Sequence, residues 1–354
     1  MKRKLFLALA LPLNLLAGCA SAPSLEGAAD KITVTDMLGD SITIKKNPSK
    51  VACISRTTYD LLVAFGLGDK IDGAYSGTLN NKWVSTIYPE AQSAHVYGYD
   101  DSYETFLSRG VDLVFSPEKY LSDGLKEHGI NSLCVSLYGN PTFDNYVYFF
   151  ADIVTEIWDY PEVKAKAEKW KKDVKEAISF IQTELGKHET TKRKLFYIRG
   201  DKDKGVGYTD QASAFTEYAY RTLGFEVLGA SMDTNKPSAE EIMKANPDVF
   251  VAGGIYQNKN LEALKQEPYC NLDAVKNGRY YSIPIGFTAF EQLSVMTPVF
   301  FYDQANKLYP DYFHYDIASM VKNTIRDGFG AELGDAQVGY MLKGLGPSGE
   351  ELYQ

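Results

Sequence analysis

Tyr103-Glu104-Thr105-Phe106-Leu107 leading to Asp112-Leu113-Val114-Phe115, and Ala239-Glu240-Glu241-Ile242-Met243 leading to Asp248-Val249-Phe250, are one pattern written twice. In each copy a glutamate stands eight residues before an aspartate. Each reads as a short helix with an acid at its start, then a turn and a buried strand, so two halves of the chain share one plan. A second echo sets Ala64-Phe65-Gly66-Leu67-Gly68 beside Arg221-Thr222-Leu223-Gly224-Phe225.

Working outward from the repeat, strand and helix patterns alternate. Residues 32–36 and 41–44 alternate around Gly39-Asp40 and predict a β-hairpin. Lys50-Val51-Ala52-Cys53-Ile54-Ser55 predicts a buried strand running into a helix over 58–65, with another strand at 71–75. Strands follow at 112–116 and 132–137, with a helix over 121–128 between them. After Asp159-Tyr160-Pro161 the residues Val163, Ala167, Trp170, Val174, Ile178, Ile181 and Leu185 recur every three or four positions. That spacing predicts a helical rod of roughly 35 to 40 Å, either a rigid connector between two lobes or one long surface helix within a lobe. Alternation restarts at Lys194-Leu195-Phe196-Tyr197-Ile198.

The expected fold class is therefore α/β, two Rossmann-like lobes with mostly parallel sheets joined by a single long helix. The lobes are placed at 32–158 and 191–310, the connecting helix at 159–190. Residues 311–354 form an extension in which Ile317, Met320, Val321, Ile325 and Phe329 predict a helix, while 345–354 look frayed.

The first residues carry an address. Lys2-Arg3-Lys4 precedes a short apolar run from Leu5 that ends in Leu16-Ala17-Gly18-Cys19, the pattern of a bacterial lipoprotein signal. A run of about 13 residues is too short to cross a hydrocarbon core of roughly 30 Å. Residues 1–18 are expected to be removed, Cys19 to carry lipid, and 19–31 to be a flexible stalk, with a plain secretory signal or a buried helix as the alternatives. The expected location is the extracytoplasmic face of the cell membrane. The formal charge of the whole chain is −9, and losing Lys2, Arg3 and Lys4 makes the remainder more acidic still. Such a balance argues against nucleic acid as a partner, because phosphate contacts need clustered Lys and Arg. Cys53, Cys134 and Cys270 have no paired spacing, so free thiols or at most one disulfide are expected.

In an open α/β sheet, ligands bind beyond the carboxyl ends of the strands. Ser55-Arg56-Thr57-Thr58-Tyr59 follows the first such strand of one lobe and Arg199-Gly200 that of the other, placing Arg56, Tyr59 and Arg199 toward a cleft. Tyr75, Trp83, Tyr97, Tyr99, Tyr138, Tyr208, Tyr256, Phe287 and Phe290 lie in or near loops on the same expected edge. Arginines among aromatics suit a bulky, conjugated, partly anionic cargo such as a ferric siderophore. His95, His128, His188 and His314 are scattered, which argues against a bare zinc or manganese site, and no cofactor is expected. Cobalamin or heme, and then a small oxyanion, rank behind the iron chelate.

The hairpin at 32–36 with Gly39, the stretch 51–55 with Asp60-Leu61-Leu62, Gly66-Leu67-Gly68-Asp69-Lys70-Ile71, the Glu104 and Glu240 units, and Lys307-Leu308-Tyr309-Pro310 together resemble one family. It is that of the substrate-binding lipoproteins of ABC importers for iron-siderophore complexes, cobalamin and heme. The resemblance covers nearly everything after the stalk and implies a ligand between two lobes, little hinge motion, and a permease dimer with its ATPase as partner. It also implies that Glu104 and Glu240, otherwise ordinary acids at helix starts, dock one on each half of that permease. An enzyme is the reading from another class: Ser116-Pro117-Glu118-Lys119 fits the S-x-x-K pattern of a lipid-anchored serine hydrolase, but no K-T-G or S-D-N partner is present. A lipoprotein adhesin or sensor without a permease is a third.

Overall fold

The structure, a computed structural model, describes residues 30–135, 147–188, 191–203 and 205–352. Two parallel sheets form its two lobes. In the N-terminal lobe β3 (Val51–Cys53), β4 (Ile71–Tyr75), β5 (His95–Tyr97), β6 (Leu113–Ser116) and β7 (Ser132–Cys134) lie in the order β5-β4-β3-β6-β7. In the C-terminal lobe β8 (Lys194–Ile198), β9 (Glu226–Val227), β10 (Val249–Ala252) and β11 (Tyr280–Ser282) lie in the order β9-β8-β10-β11. Every residue of β3, β6, β7 and β10 is buried, as continuous apolar runs in parallel strands covered on both faces should be. The predicted hairpin is β1 (Lys31–Thr35) paired antiparallel with β2 (Ser41–Lys45), and it buries Val34 and Ile44 against the first lobe.

The two orders coincide: β4-β3-β6-β7 repeats as β9-β8-β10-β11, and the two sequence copies precede the matching strands β6 and β10. The eight-residue spacing has a physical cause. The helices Tyr103–Arg109 and Ala239–Ala245 both end in a left-handed residue, Gly110 at φ 67° and Asn246 at φ 47°, which turns the chain back toward the sheet. The aspartate then bolts it there. Asp112 Oδ2 accepts the backbone N–H groups of Ser49 (2.8 Å) and Lys50 (3.1 Å), and Asp248 Oδ2 accepts that of Lys194 (2.7 Å). Their own N–H groups donate back to Lys50 and Lys194 carbonyls. The second echo is equally exact in its bonding, since Gly66 at φ 92° and Gly224 at φ 88° close the helices Arg56–Ala64 and Phe215–Thr222.

The rod is the helix Pro161–Leu185, whose 25 residues span roughly 37 Å. It opens at Pro161 and buries Val163, Ala167, Trp170, Val174, Ala177 and Ile181. Its buried face packs along the helix Thr297–Leu308, and the Trp170 indole donates to the Ser294 carbonyl at 3.1 Å. Residues 283–296 cross from β11 back to the first lobe, where Asp60 Oδ1 accepts the Val295 N–H at 2.6 Å and the Asn81 amide donates to the Gly286 carbonyl at 2.8 Å. Asp60 is fully buried, and that burial pushes its carboxyl up to about 7 against the opposing pull of the Val295 and Thr288 hydrogen bonds.

The extension contains the predicted helix, Ile317–Phe329, and another, Asp335–Leu342. Residues 345–352 are not frayed, which corrects the sequence expectation. Gly344 at φ 68° turns the chain back, Leu345 N–H bonds to the Tyr340 carbonyl, and Gly346 N–H bonds to the Glu350 carbonyl, so the tail is held in a hydrogen-bonded turn. It then bridges the lobes. Leu345 O accepts the Trp83 indole N–H (2.8 Å) and Glu350 pairs with Lys82 (3.0 Å) on one side, while the Asn258 amide donates to Lys343 O (3.3 Å) on the other. Trp83→Phe removes the indole N–H bond together with the pyrrole half of a fully buried ring. The lost bond and the cavity together should cost about 2–4 kcal/mol and lower the melting temperature by several degrees; calorimetry showing no change would mean that this ring does not hold the tail.

Candidate functional site

Two half-sites stand at the carboxyl ends of the two sheets. In the first lobe β3 gives way to Ile54 and Ser55, whose N–H groups both bond to the Phe115 carbonyl at 3.0 Å. That brings Arg56 to the first position of a helix in which every following residue is buried and Arg56 alone is exposed. Its guanidinium lies over the Tyr75 ring, 5.2 Å from the centroid, and Tyr75 in turn stacks on Tyr99 at 4.3 Å with planes 8° apart. A Cβ at Gly77 would sit 2.6 Å from both the Arg56 guanidinium and the Tyr75 ring, so glycine there makes room for the stack. Tyr99 is 41% exposed. Among the described residues Arg56 has no carboxylate within ion-pair reach. This half-site therefore offers an open aromatic surface beside an uncompensated cation.

The half-site of the second lobe is built differently. Arg199 follows β8 and its side chain, 36% exposed, lies over Tyr208 at 5.2 Å and pairs with Asp210 at 3.2 Å. Asp210 is largely buried and also accepts the Thr216 hydroxyl at 2.7 Å. Burial raises its carboxyl, and the Arg199 charge and the Thr216 bond oppose the rise. Gly200 has φ 68°, and a Cβ there would lie 1.8 Å from the Gly253 carbonyl oxygen, so only glycine lets the loops after β8 and β10 touch. Beneath them Glu291 Oε1 accepts the Gly254 N–H at 2.6 Å, while Oε2 is buried without a hydrogen bond. Burial pushes the Glu291 carboxyl up to about 7, with Asp210 adding to the rise and Arg199 opposing it.

The other expected contacts fall into distinct places. Tyr256 is half-buried just after β10, at the same edge as Gly254. Tyr59, Trp83, Tyr97, Phe287 and Phe290 are buried and present no surface to a ligand. Tyr59 stacks on Phe287 at 5.6 Å, which in turn stacks on Phe329 at 4.7 Å, and the Tyr97 hydroxyl donates to Asp72 at 2.6 Å. Burial works against ionised Asp72, but hydrogen bonds from Arg109, Tyr97 and Lys50 outweigh it and bring its carboxyl down to about 2. Tyr138 and Cys19 lie outside the described residues. Asp210 and Glu291 were not expected; the only signal for Glu291 is an acid inside the apolar run 287–301.

Glu104 and Glu240 are both exposed at the starts of their matching helices. Glu241 spends its carboxylate in a capping box with Ser238, whereas its neighbour Glu240 has no ion-pair partner among the described residues. Leu107, one turn on from Glu104, is 57% exposed.

The serine hydrolase arrangement is not assembled. The Ser116 hydroxyl donates to the Glu118 carbonyl at 3.1 Å, and Lys119 pairs with Asp40 (2.8 Å) and Asp123 (3.1 Å), contacts that hold its ammonium protonated. Cys53 and Cys134 are free and buried, and burial pushes both thiols up to about 12. No group of His, Cys, Asp and Glu that could hold a metal ion occurs among the described residues, and no described helix is long and apolar enough to cross a membrane. A groove of about 300 Å³ lies at the other end of the Arg56–Ala64 helix, between Phe65, Trp170, Val299 and Met320, and includes none of the half-site residues.

Residues 143–285 match the family described as periplasmic binding protein. The chain is 24% identical over 295 residues to an ABC transporter substrate-binding lipoprotein of Bacillus subtilis (strain 168), YvrC, spanning 78% of this chain and 88% of that protein. In fold it is similar to the molybdate periplasmic binding protein MolA of Haemophilus influenzae, solved with molybdate bound, at TM-score 0.71 and 17% identity over 86% of this chain and 99% of that one. It is likewise similar to a protein of an ABC-type Fe3+-hydroxamate transport system from Saccharomonospora viridis DSM 43017, at TM-score 0.63 and 16% identity over 78% of this chain and 99% of that one.

The buried carboxyl of Glu291 predicts a pH dependence. Its folded-state value lies above its unfolded value, so it holds a proton that the unfolded chain has released between about pH 4.5 and about pH 7. The stability it contributes is present below that window and is lost as the pH rises through it, by up to roughly 3 kcal/mol. Asp60 acts in the same direction. Glu291→Gln keeps the acceptor for Gly254 and cannot ionise, so its urea midpoint should fall much less across the window than that of the wild type; equal slopes would refute the assignment.

Proposed function

We propose that this chain, which matches the periplasmic binding protein family over residues 143–285 and is similar to such proteins in fold, is the substrate-binding component of an ABC importer, with a ferric siderophore or similar iron chelate as its cargo. The observation that carries this reading is the placing of two arginine-and-tyrosine half-sites at equivalent strand ends of two repeated lobes. A ligand between them is gripped by Arg56 with the Tyr75–Tyr99 stack on one side and by Arg199 with Tyr208 on the other. Broad π-faces beside guanidinium groups suit a flat, oxygen-rich chelate. The relative from Saccharomonospora viridis, from a Fe3+-hydroxamate transport system, supports the same class.

The signal at 1–18 and Cys19, with the lipoprotein name of the Bacillus subtilis relative, supports attachment to the outer face of the cytoplasmic membrane. Glu104 and Glu240 are then the docking charges. They occupy the same place in each repeat, both exposed and without an ion pair among the described residues, Glu104 being held only by hydrogen bonds from Ser102 and its own N–H, so a permease with paired cationic sites can take one from each lobe. Exposed charges of this kind steer the encounter and still allow release.

Two measurements test this. Thermal unfolding of the body from residue 20 onward, titrated with ferric hydroxamates, ferric catecholates, ferric citrate, heme, cobalamin and molybdate, should show a shift with a ferric chelate. At a hundred times the dissociation constant the gain is about 2.7 kcal/mol; no shift with any of them removes the reading. The double variant Glu104→Gln with Glu240→Gln should lose most uptake in cells, at least about tenfold, while binding its ligand as tightly as the wild type. Uptake at the normal rate would remove the docking role.

A further inference from the structure

The two half-sites carry the same residue types but opposite charge balance. Arg56 lies on a tyrosine stack with no carboxylate in reach among the described residues. Arg199 is held 3.2 Å from Asp210, a carboxylate that is 12% exposed and locked by the Thr216 hydroxyl. A second acid, Glu291, lies under the same loops, with one oxygen on Gly254 N–H and the other buried without a hydrogen bond. Tyr197 and Tyr220, fully buried, complete this floor: a Cβ at Gly253 would meet both the Glu291 carboxylate and the Tyr197 hydroxyl, and Glu291 raises both phenols, after burial. The second lobe therefore faces the ligand with a guanidinium whose charge is already answered by Asp210, over a Glu291 carboxyl that burial keeps largely protonated.

Resting on the reading of these half-sites as the cargo site, we propose that Asp210 is a positioning residue that sets cargo charge: the cleft takes a ferric chelate that is neutral or nearly so, laying its most negative edge against Arg56, and rejects strongly anionic chelates. The argument is electrostatic. A multiply charged anion in a partly desolvated cleft gains from Arg56 but meets no net positive charge across from it, and the Asp210 carboxylate acts on each unit of its charge. A neutral complex, such as iron(III) held by three hydroxamates, suffers no such penalty. Its hydroxamate oxygens still accept from both guanidinium groups and its faces lie on the tyrosines. Iron(III) held by three catecholates is trianionic, and molybdate is dianionic. Asp210 also fixes the Arg199 fork in place, so removing its charge while keeping its shape separates the two effects.

The test is isothermal titration of the wild type, Asp210→Asn, Asp210→Glu and Arg56→Gln with a ferric trihydroxamate, a ferric tricatecholate and molybdate, with the melting temperature of each variant measured alongside. The wild type should bind the trihydroxamate at least about tenfold more tightly than either anion. Asp210→Asn should shrink that ratio by about tenfold or more by strengthening the anions, Asp210→Glu should restore it, and Arg56→Gln should widen it. A merely structural role for Asp210 would move all three affinities by one factor, and that result overturns the proposal. Tighter binding of the tricatecholate or molybdate by the wild type overturns it too while leaving the importer reading intact. Absence of heat with every ligand, in a protein that melts normally, overturns the importer reading and this inference with it. Should Asp210→Asn fail to fold, the Arg56→Gln ratio decides: one equal loss for neutral and anionic ligands contradicts the assignment of the anionic edge to Arg56.

Discussion

The relative placing of the two lobes depends on a crossing strand of chain, residues 283–296, fastened by buried polar groups on every side. Asp60 holds Val295 and Asn81 holds Gly286 from the first lobe, the Trp170 indole holds Ser294 from the long helix, and Glu291 reaches out of the segment to Gly254 in the second lobe. The Asp60 and Trp170 bonds lie in a low-dielectric interior, where leaving a partner unmade costs more than the net worth of the bond itself. The two carboxylates are the expensive members, since both are buried with one oxygen lacking a hydrogen bond. Pinned in this way, the Pro161–Leu185 helix, the extension and both sheets form a continuous apolar core, and the tail from Gly344 to Glu350 closes over its edge.

On this frame the internal repeat becomes more than symmetry of sequence. Its aspartates tie β6 to the start of β3 and β10 to the start of β8, and its helices run back along the sheets, so Glu104 and Glu240 start those helices toward the carboxyl ends of the strands, the ends that also present Arg56 and Arg199. On the proposed function, each copy sets a docking charge toward the same edge as its lobe's ligand contact. The two copies differ in the charge they place at that edge. Arg56 lies over stacked tyrosines with no carboxylate in ion-pair reach among the described residues, and Arg199 is paired with Asp210 and set over a second carboxyl, Glu291.

How much of this was legible in the sequence follows from which contacts are local. The hairpin, the long helix from Pro161, the strands β3, β6, β8 and β10 and the repeat were all readable, because periodicity, proline and glycine act within a few residues. Strands β5, β9 and β11, of two or three residues, are too short to show a period. The positions of Arg56 and Arg199 beyond strand ends were readable as well. Which aromatics face outward was not. Tyr97 turns inward because Asp72 accepts its hydroxyl, and Trp83 because Leu345, far along the chain, accepts its indole N–H. The order of residues 345–352 likewise rests on lobe contacts that no local pattern announces.

The central claim is that a single ligand is held by both copies of the repeat. Hydrogen exchange of the soluble body with and without the ferric chelate it binds tests this most directly. The account predicts slowed exchange in both loop sets at once, around Ser55 to Gly77 in the first lobe and around Arg199, Asp210 and Gly254 in the second, with the helices bearing Glu104 and Glu240 unchanged. Protection confined to one lobe, or centred on the groove at Phe65 and Met320, would contradict it.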